Sequence, residues 1–95
     1  MFVVLLRFAD SKSQAGQFMD GHKAWIKQGI GDGVFLLTGS LQPKAGGAIL
    51  AHNTSLADLQ SRVNQDPFVR EGIVSAEILE ITPASADERL SFLLD

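Results

Sequence analysis

The chain opens on an alternation in which nearly every position is apolar. In Phe2-Val3-Val4-Leu5-Leu6-Arg7-Phe8, one set of alternate positions is Phe2, Val4, Leu6 and Phe8, and the other is Val3, Leu5 and Arg7. Successive side chains of a strand point to opposite faces, so a strand apolar on both needs cover on both. Asp10 and Ser11 break the run. From about Ser13 to Ile30 the spacing changes to three and four, placing Phe18, His22, Trp25, Ile26 and Gly29 on one helical face. Gly29, Gly31 and Gly33 close that helix and turn the chain. Val34 to Thr38 predicts a second strand ending at Gly39-Ser40, Pro43 to Gly47 a hairpin loop, and Ala48 to His52 a third strand. Ser55, with Asp58 three residues on, predicts a capped second helix whose inner stripe is Leu56, Leu59 and Val63. Asp66 to Gly72 predicts one extra turn, with Asp66 as cap and Pro67 at the first helical position. Ile73 to Ile81 is a fourth strand. The segment 83–95, carrying Leu90, Phe92, Leu93 and Leu94, is expected to form a short amphipathic helix.

Strand, helix, strand, strand, helix, strand is the order of a ferredoxin-like α+β sandwich with an antiparallel sheet. A length of 95 residues suits a single domain, 1–95, with a core at 1–82 and a tail at 83–95. Helices would cover one sheet face. The other face is expected to be apolar and to pack against a second copy, giving a homodimer joined through its sheets.

Composition narrows the classes of partner. A net charge of −3, with four lysines and four arginines scattered along the chain, does not favour nucleic acid, whose phosphates are met by clustered cations. No cysteine is present, which excludes disulfides, thiolate nucleophiles and cysteine-based metal sites. The apolar run at Met1–Leu6 is cut by Arg7 and Asp10, too soon for a signal peptide or a membrane span. The expectation is a cytoplasmic protein without a membrane or nucleic-acid partner.

Few side chains suggest chemistry. His22 lies on the apolar stripe of the first helix. It is either a half-buried, hydrogen-bonded histidine or a general base, since an imidazole exchanges protons near neutral pH. Asp66 is explained by capping alone. If its turn approaches the first helix, however, its carboxylate would fix the tautomer of His22. Arg7 is a charge in an apolar strand. It needs either a structural partner, Glu77 or Glu80, or the carboxylate of a substrate. His52 ends the third strand, and no recognised ligand spacing joins it to a metal site. Gly46-Gly47 lacks both nucleotide-binding glycine patterns, Ser40 lacks the nucleophile elbow, and Trp25 suits packing. No metal or cofactor is expected.

Taken together, the strand Phe2–Phe8, the helix segment Gly21-His22-Lys23-Ala24-Trp25, the strand end Leu37-Thr38-Gly39-Ser40, the strand entry Gly46-Gly47-Ala48-Ile49-Leu50 and the turn Asn64-Gln65-Asp66-Pro67-Phe68 resemble the YCII-related family over roughly residues 1–82. The resemblance implies a ferredoxin-like fold packed as a dimeric α/β barrel, similar to muconolactone isomerase. It also implies a histidine–aspartate active site, matched here by His22 and Asp66, with Gly39 beside the cleft. One characterised relative removes chloride from a chlorinated hydroxyquinol. Two departures bear on substrate class. Met19 stands where many members carry Arg, and Ser40 follows Gly39 where many have Pro. The missing arginine leaves a substrate anion to Arg7 or Lys23.

The function these residues and the resemblance imply is cofactor-free proton abstraction by His22, oriented by Asp66, followed by elimination or isomerisation of a small molecule. Arg7, Gly39 and Ser40 would contact the substrate. The alternative is a non-catalytic metabolite-binding or accessory protein using the same cleft.

Overall fold

In the computed structural model, which describes residues 1–94, β1 (Phe2–Phe8) runs through the interior of a four-stranded sheet. It pairs antiparallel with β3 (Gly46–Ala51) on one side and β4 (Val74–Glu80) on the other. β2 (Phe35–Leu41) pairs antiparallel with β3, giving the order β2-β3-β1-β4. This is the ferredoxin-like arrangement of its strands and helices. The position of β1 follows from its sequence, because an interior strand tolerates a near-continuous apolar run.

The helices lie on one face. α1 (Ala15–Gly31) follows a 3₁₀ turn at Lys12–Gln14. α2 (Leu56–Val63) is capped by the Ser55 hydroxyl, which accepts from the Asp58 amide at 3.0 Å. α3 (Pro67–Arg70) is a single turn capped by Asp66. Between helices and sheet, Phe2, Val4 and Leu6 of β1 meet Trp25 of α1, Leu59 and Val63 of α2, and Phe68 of α3. Fully burying such a side chain contributes about 1.5–3 kcal/mol before entropy is subtracted. Two glycines allow close approaches within this packing. A Cβ at Gly29 would run into the Phe35 ring, and one at Gly46, where φ is +135°, would collide with the Leu6 carbonyl.

Several sequence expectations are corrected. The barrel is not formed. The sheet is open, with β2 and β4 as its two edges, and four strands are about half the number that closes a filled barrel. β3 begins at Gly46 rather than Ala48, because both glycines enter the ladder instead of the loop. Leu56, expected on the inner stripe, is exposed at the first position of α2, leaving Leu59 and Val63 to face the sheet. A register shift between Phe35 and Leu37 turns Leu36 and Leu37 outward, and Leu37 is 58% exposed.

The tail does form a short helix, though of 3₁₀ type and without a buried face. It forms 3₁₀ turns over Glu88–Leu94, kinked at Leu90, with Leu90, Phe92 and Leu94 exposed. The Phe92 ring sets its edge against His52 at 5.6 Å, and Arg89 holds the Asp87 carboxyl below its usual range through two hydrogen bonds. Asp95, the last residue of the expected tail helix, lies outside the described residues.

Candidate functional site

Asp66 stands where α2 gives way to α3, and its role there is first a local one. Its backbone is extended, Pro67 occupies the first helical position, and the carboxylate Oδ1 accepts the Phe68 amide at 3.0 Å. The turn packs against α1, so the same Oδ1 also lies 2.8 Å from Nδ1 of His22, 44 positions earlier in the chain. Asp66 has no solvent exposure, and the His22 side chain retains 13%. An ionised carboxylate can only accept, so Nδ1 carries the hydrogen of this bond and Nε2 is left as the free ring nitrogen. Oδ2 of Asp66 is buried without a partner among the described residues.

The imidazole stacks on Phe68, with ring centroids 4.0 Å apart and planes 4° from parallel. Trp25 is farther, at 6.0 Å, and its Nε1 donates to the Arg62 carbonyl at 2.9 Å, tying α1 to α2.

His22 forms part of the wall of a cavity of about 330 Å³ at one end of the helix–sheet interface. Leu6 and Phe8 of β1 and Met19 and Ile26 of α1 make its apolar sides. Thr38, Gly39 and Ser40 of β2 and Gly46 and Gly47 of β3 contribute small side chains and backbone. Lys23 is the one cationic side chain on this wall, and Phe68 closes the side behind His22. The site is therefore an apolar chamber with one histidine, one ammonium group and two hydroxyls.

The residues singled out from the sequence fall into two groups. His22 and Asp66 are in contact, and Gly39 and Ser40 line the same cavity as His22. Arg7 is elsewhere. Its guanidinium reaches Glu77 at 2.7 Å on the sheet face away from the helices, the structural partnership that the sequence offered as one alternative. His52 meets Phe92 and is also off the cavity wall. Among the described residues, no three His, Asp or Glu side chains gather as a metal site. Sequence reasoning assigned no role to Thr38 or to the Phe68 ring. The signals for Phe68 were its place two residues after a capping aspartate and its membership of the Asp66-Pro67-Phe68 turn that carries the resemblance.

Fold and site thus define a small α+β protein with a buried histidine–carboxylate pair facing an apolar cavity, the arrangement that catalytic dyads use. Residues 1–83 match the YCII-related domain, and the chain belongs to that family. No curated protein matches it. Among solved structures it is similar to the 5-chloro-2-hydroxyhydroquinone dehydrochlorinase of Burkholderia phenoliruptrix AC1100 in complex with 2,5-dihydroxybenzoquinone. The TM-score is 0.68 at 15% identity, with 85% of this chain and 93% of that one covered. At that identity the likeness concerns the fold.

Proposed function

We propose that the protein is a small-molecule enzyme in which Nε2 of His22 removes a proton from carbon, with elimination or isomerisation following. The observation that carries this reading is the 2.8 Å contact between Nδ1 of His22 and a fully buried Asp66, on a histidine that borders a cavity. In the elimination, the proton goes to Nε2, the C–H electron pair becomes the new π bond, and the leaving group departs with its own electrons. In the isomerisation, the proton returns to a different carbon. Either way the imidazolium formed is balanced by the Asp66 carboxylate. Positioned acid–base catalysis contributes about 10²–10⁴-fold, which suits a substrate whose C–H bond is already activated.

Charge that develops on the substrate needs a counterpart in an apolar chamber, and Lys23 supplies it. Gly39 and Ser40 contact the substrate through backbone and hydroxyl. The dehydrochlorinase of similar fold makes 2,5-dihydroxybenzoquinone, a planar ring with acidic hydroxyls, a suitable probe. Titration is expected to show saturable binding that Lys23→Gln weakens roughly three- to tenfold. Incubation with the chlorinated hydroxyhydroquinone is expected to release chloride. Binding without any product would leave a ligand-binding role and overturn the reaction.

A second copy of the chain is part of the same proposal. Leu37, Leu79 and Ile81 are exposed apolar side chains, as are Leu90, Phe92 and Leu94 of the tail. Contiguous surface of this kind is commonly buried in an assembly. Light scattering is expected to report twice the monomer mass, and Leu37→Lys to shift the protein toward monomer; a monomeric wild type would refute the pairing. A cytoplasmic setting fits a small cysteine-free chain, since small secreted domains commonly rely on disulfides. No helix among the described residues is long and apolar enough to cross a membrane.

A further inference from the structure

We infer that Phe68 is the positioning residue of the site, holding the His22 imidazole in the one plane that aims Nε2 at the cavity. The inference rests on the reading of His22 as the base and adds what orients it. A single hydrogen bond fixes one atom of a ring and the direction of one N–H. The ring is also tethered at Cβ, so its remaining freedom is a swing in χ1 and χ2 within the angular tolerance of that bond. The contact from Nδ1 to Asp66 is the one hydrogen bond the His22 ring makes among the described residues, so the carboxylate alone holds the plane only within that tolerance.

The second constraint comes from the Phe68 ring. It lies 4.0 Å from the imidazole and within 4° of parallel, and it is itself 95% buried, with 5% of its surface exposed, so it does not move aside. The hydrogen bond and the stacking face together close that swing. Both constraints come from the same turn of chain. The Phe68 amide donates to Asp66 Oδ1 at 3.0 Å, while its side chain carries the stacking face. The cap therefore places the carboxylate and the ring at a fixed separation, and His22 fits against both. Trp25 does not substitute for this role. Its ring is 6.0 Å away, tilted by 26°, and held by its bond to Arg62.

A flat face at position 68 is then the requirement, rather than apolar volume. The test reads the ring itself by NMR and needs no substrate. In the wild type, the His22 ring is expected to be as ordered as rigid backbone, with S² of about 0.85, and its Nδ1 proton to give a downfield resonance protected from exchange with water. Phe68→Tyr is expected to keep both properties. Phe68→Leu and Phe68→Met, which retain apolar bulk without a flat face, are expected to speed exchange of that proton at least tenfold while the sheet amides are unchanged. A merely structural Phe68 would show the reverse pattern, with loosened sheet amides and a protected Nδ1 proton. Wild-type exchange in a folded Leu or Met variant overturns the inference. So does a mobile ring in the wild type, with S² below about 0.6, which needs no variant to fold. An ordered, protected ring in a protein without turnover upholds Phe68 and counts against the proposed reaction alone.

Discussion

His22→Gln is expected to abolish turnover on any substrate the protein accepts, lowering kcat/KM by about 10²–10⁴-fold, while the protein stays folded. Glutamine is the informative replacement because its amide can still donate toward Oδ1 of Asp66. His22→Ala removes that donor and leaves a fully buried carboxylate with only the Phe68 amide, which confuses loss of chemistry with loss of stability. Substrate affinity in the glutamine variant is expected to change little, because Lys23 and the strand ends remain. A loss confined to KM would mean that His22 binds and does not act as a base. The measurement is steady-state kinetics on wild type and variant, with thermal unfolding to confirm that both are native.

Asp66 separates into two roles when two substitutions are compared. Asp66→Ala removes a cap, worth about 0.5–2 kcal/mol, and leaves the His22 Nδ1–H and the Phe68 N–H without an acceptor. An unsatisfied buried donor costs about 1–3 kcal/mol. These contributions share one carboxylate and are not additive, so a net loss of roughly 2–4 kcal/mol is expected in urea unfolding. Asp66→Asn keeps an oxygen acceptor and the cap and is expected to lose about 1–3 kcal/mol, the cost of one unsatisfied buried donor. Its amide nitrogen would take the buried place of Oδ2, where no acceptor meets it among the described residues. Activity is expected to fall in both variants, because neither can balance an imidazolium. An asparagine variant with full activity would make Asp66 a cap and nothing more.

Much of this was legible in the sequence, and the reasons differ by element. The alternation of Phe2–Phe8 revealed a strand with two apolar faces, and the pairing on both its edges was left to the topology. The Asp66-Pro67 pair revealed a capped turn because the preferences there are local. The contact between His22 and Asp66 spans 44 positions, and no periodicity reaches across that interval. It came instead from a resemblance carried by motifs.

Arg7 shows the limit from the other side. Its need for a partner was clear from the strand, but whether that was Glu77 or a ligand depends on register, which the sequence leaves open. The outward turn of Leu36 and Leu37 comes from one irregularity in the ladder, which the residues of the strand do not announce. The tail has leucines three and four apart, Leu90, Leu93 and Leu94, and does form a short helix, but one of 3₁₀ type that buries none of them. The barrel came with the resemblance alone, and the sheet of this chain is open between its edges β2 and β4.

The double duty of the Asp66 carboxylate bears on how descendants of such a protein would diverge. A lineage that lost the reaction would still be held to aspartate at this position, because the turn before β4 folds on it. Histidine at 22 caps nothing and would be released to drift. An aspartate standing alone in a diverged copy would then record inherited folding, while histidine and aspartate standing together would record a reaction still under selection.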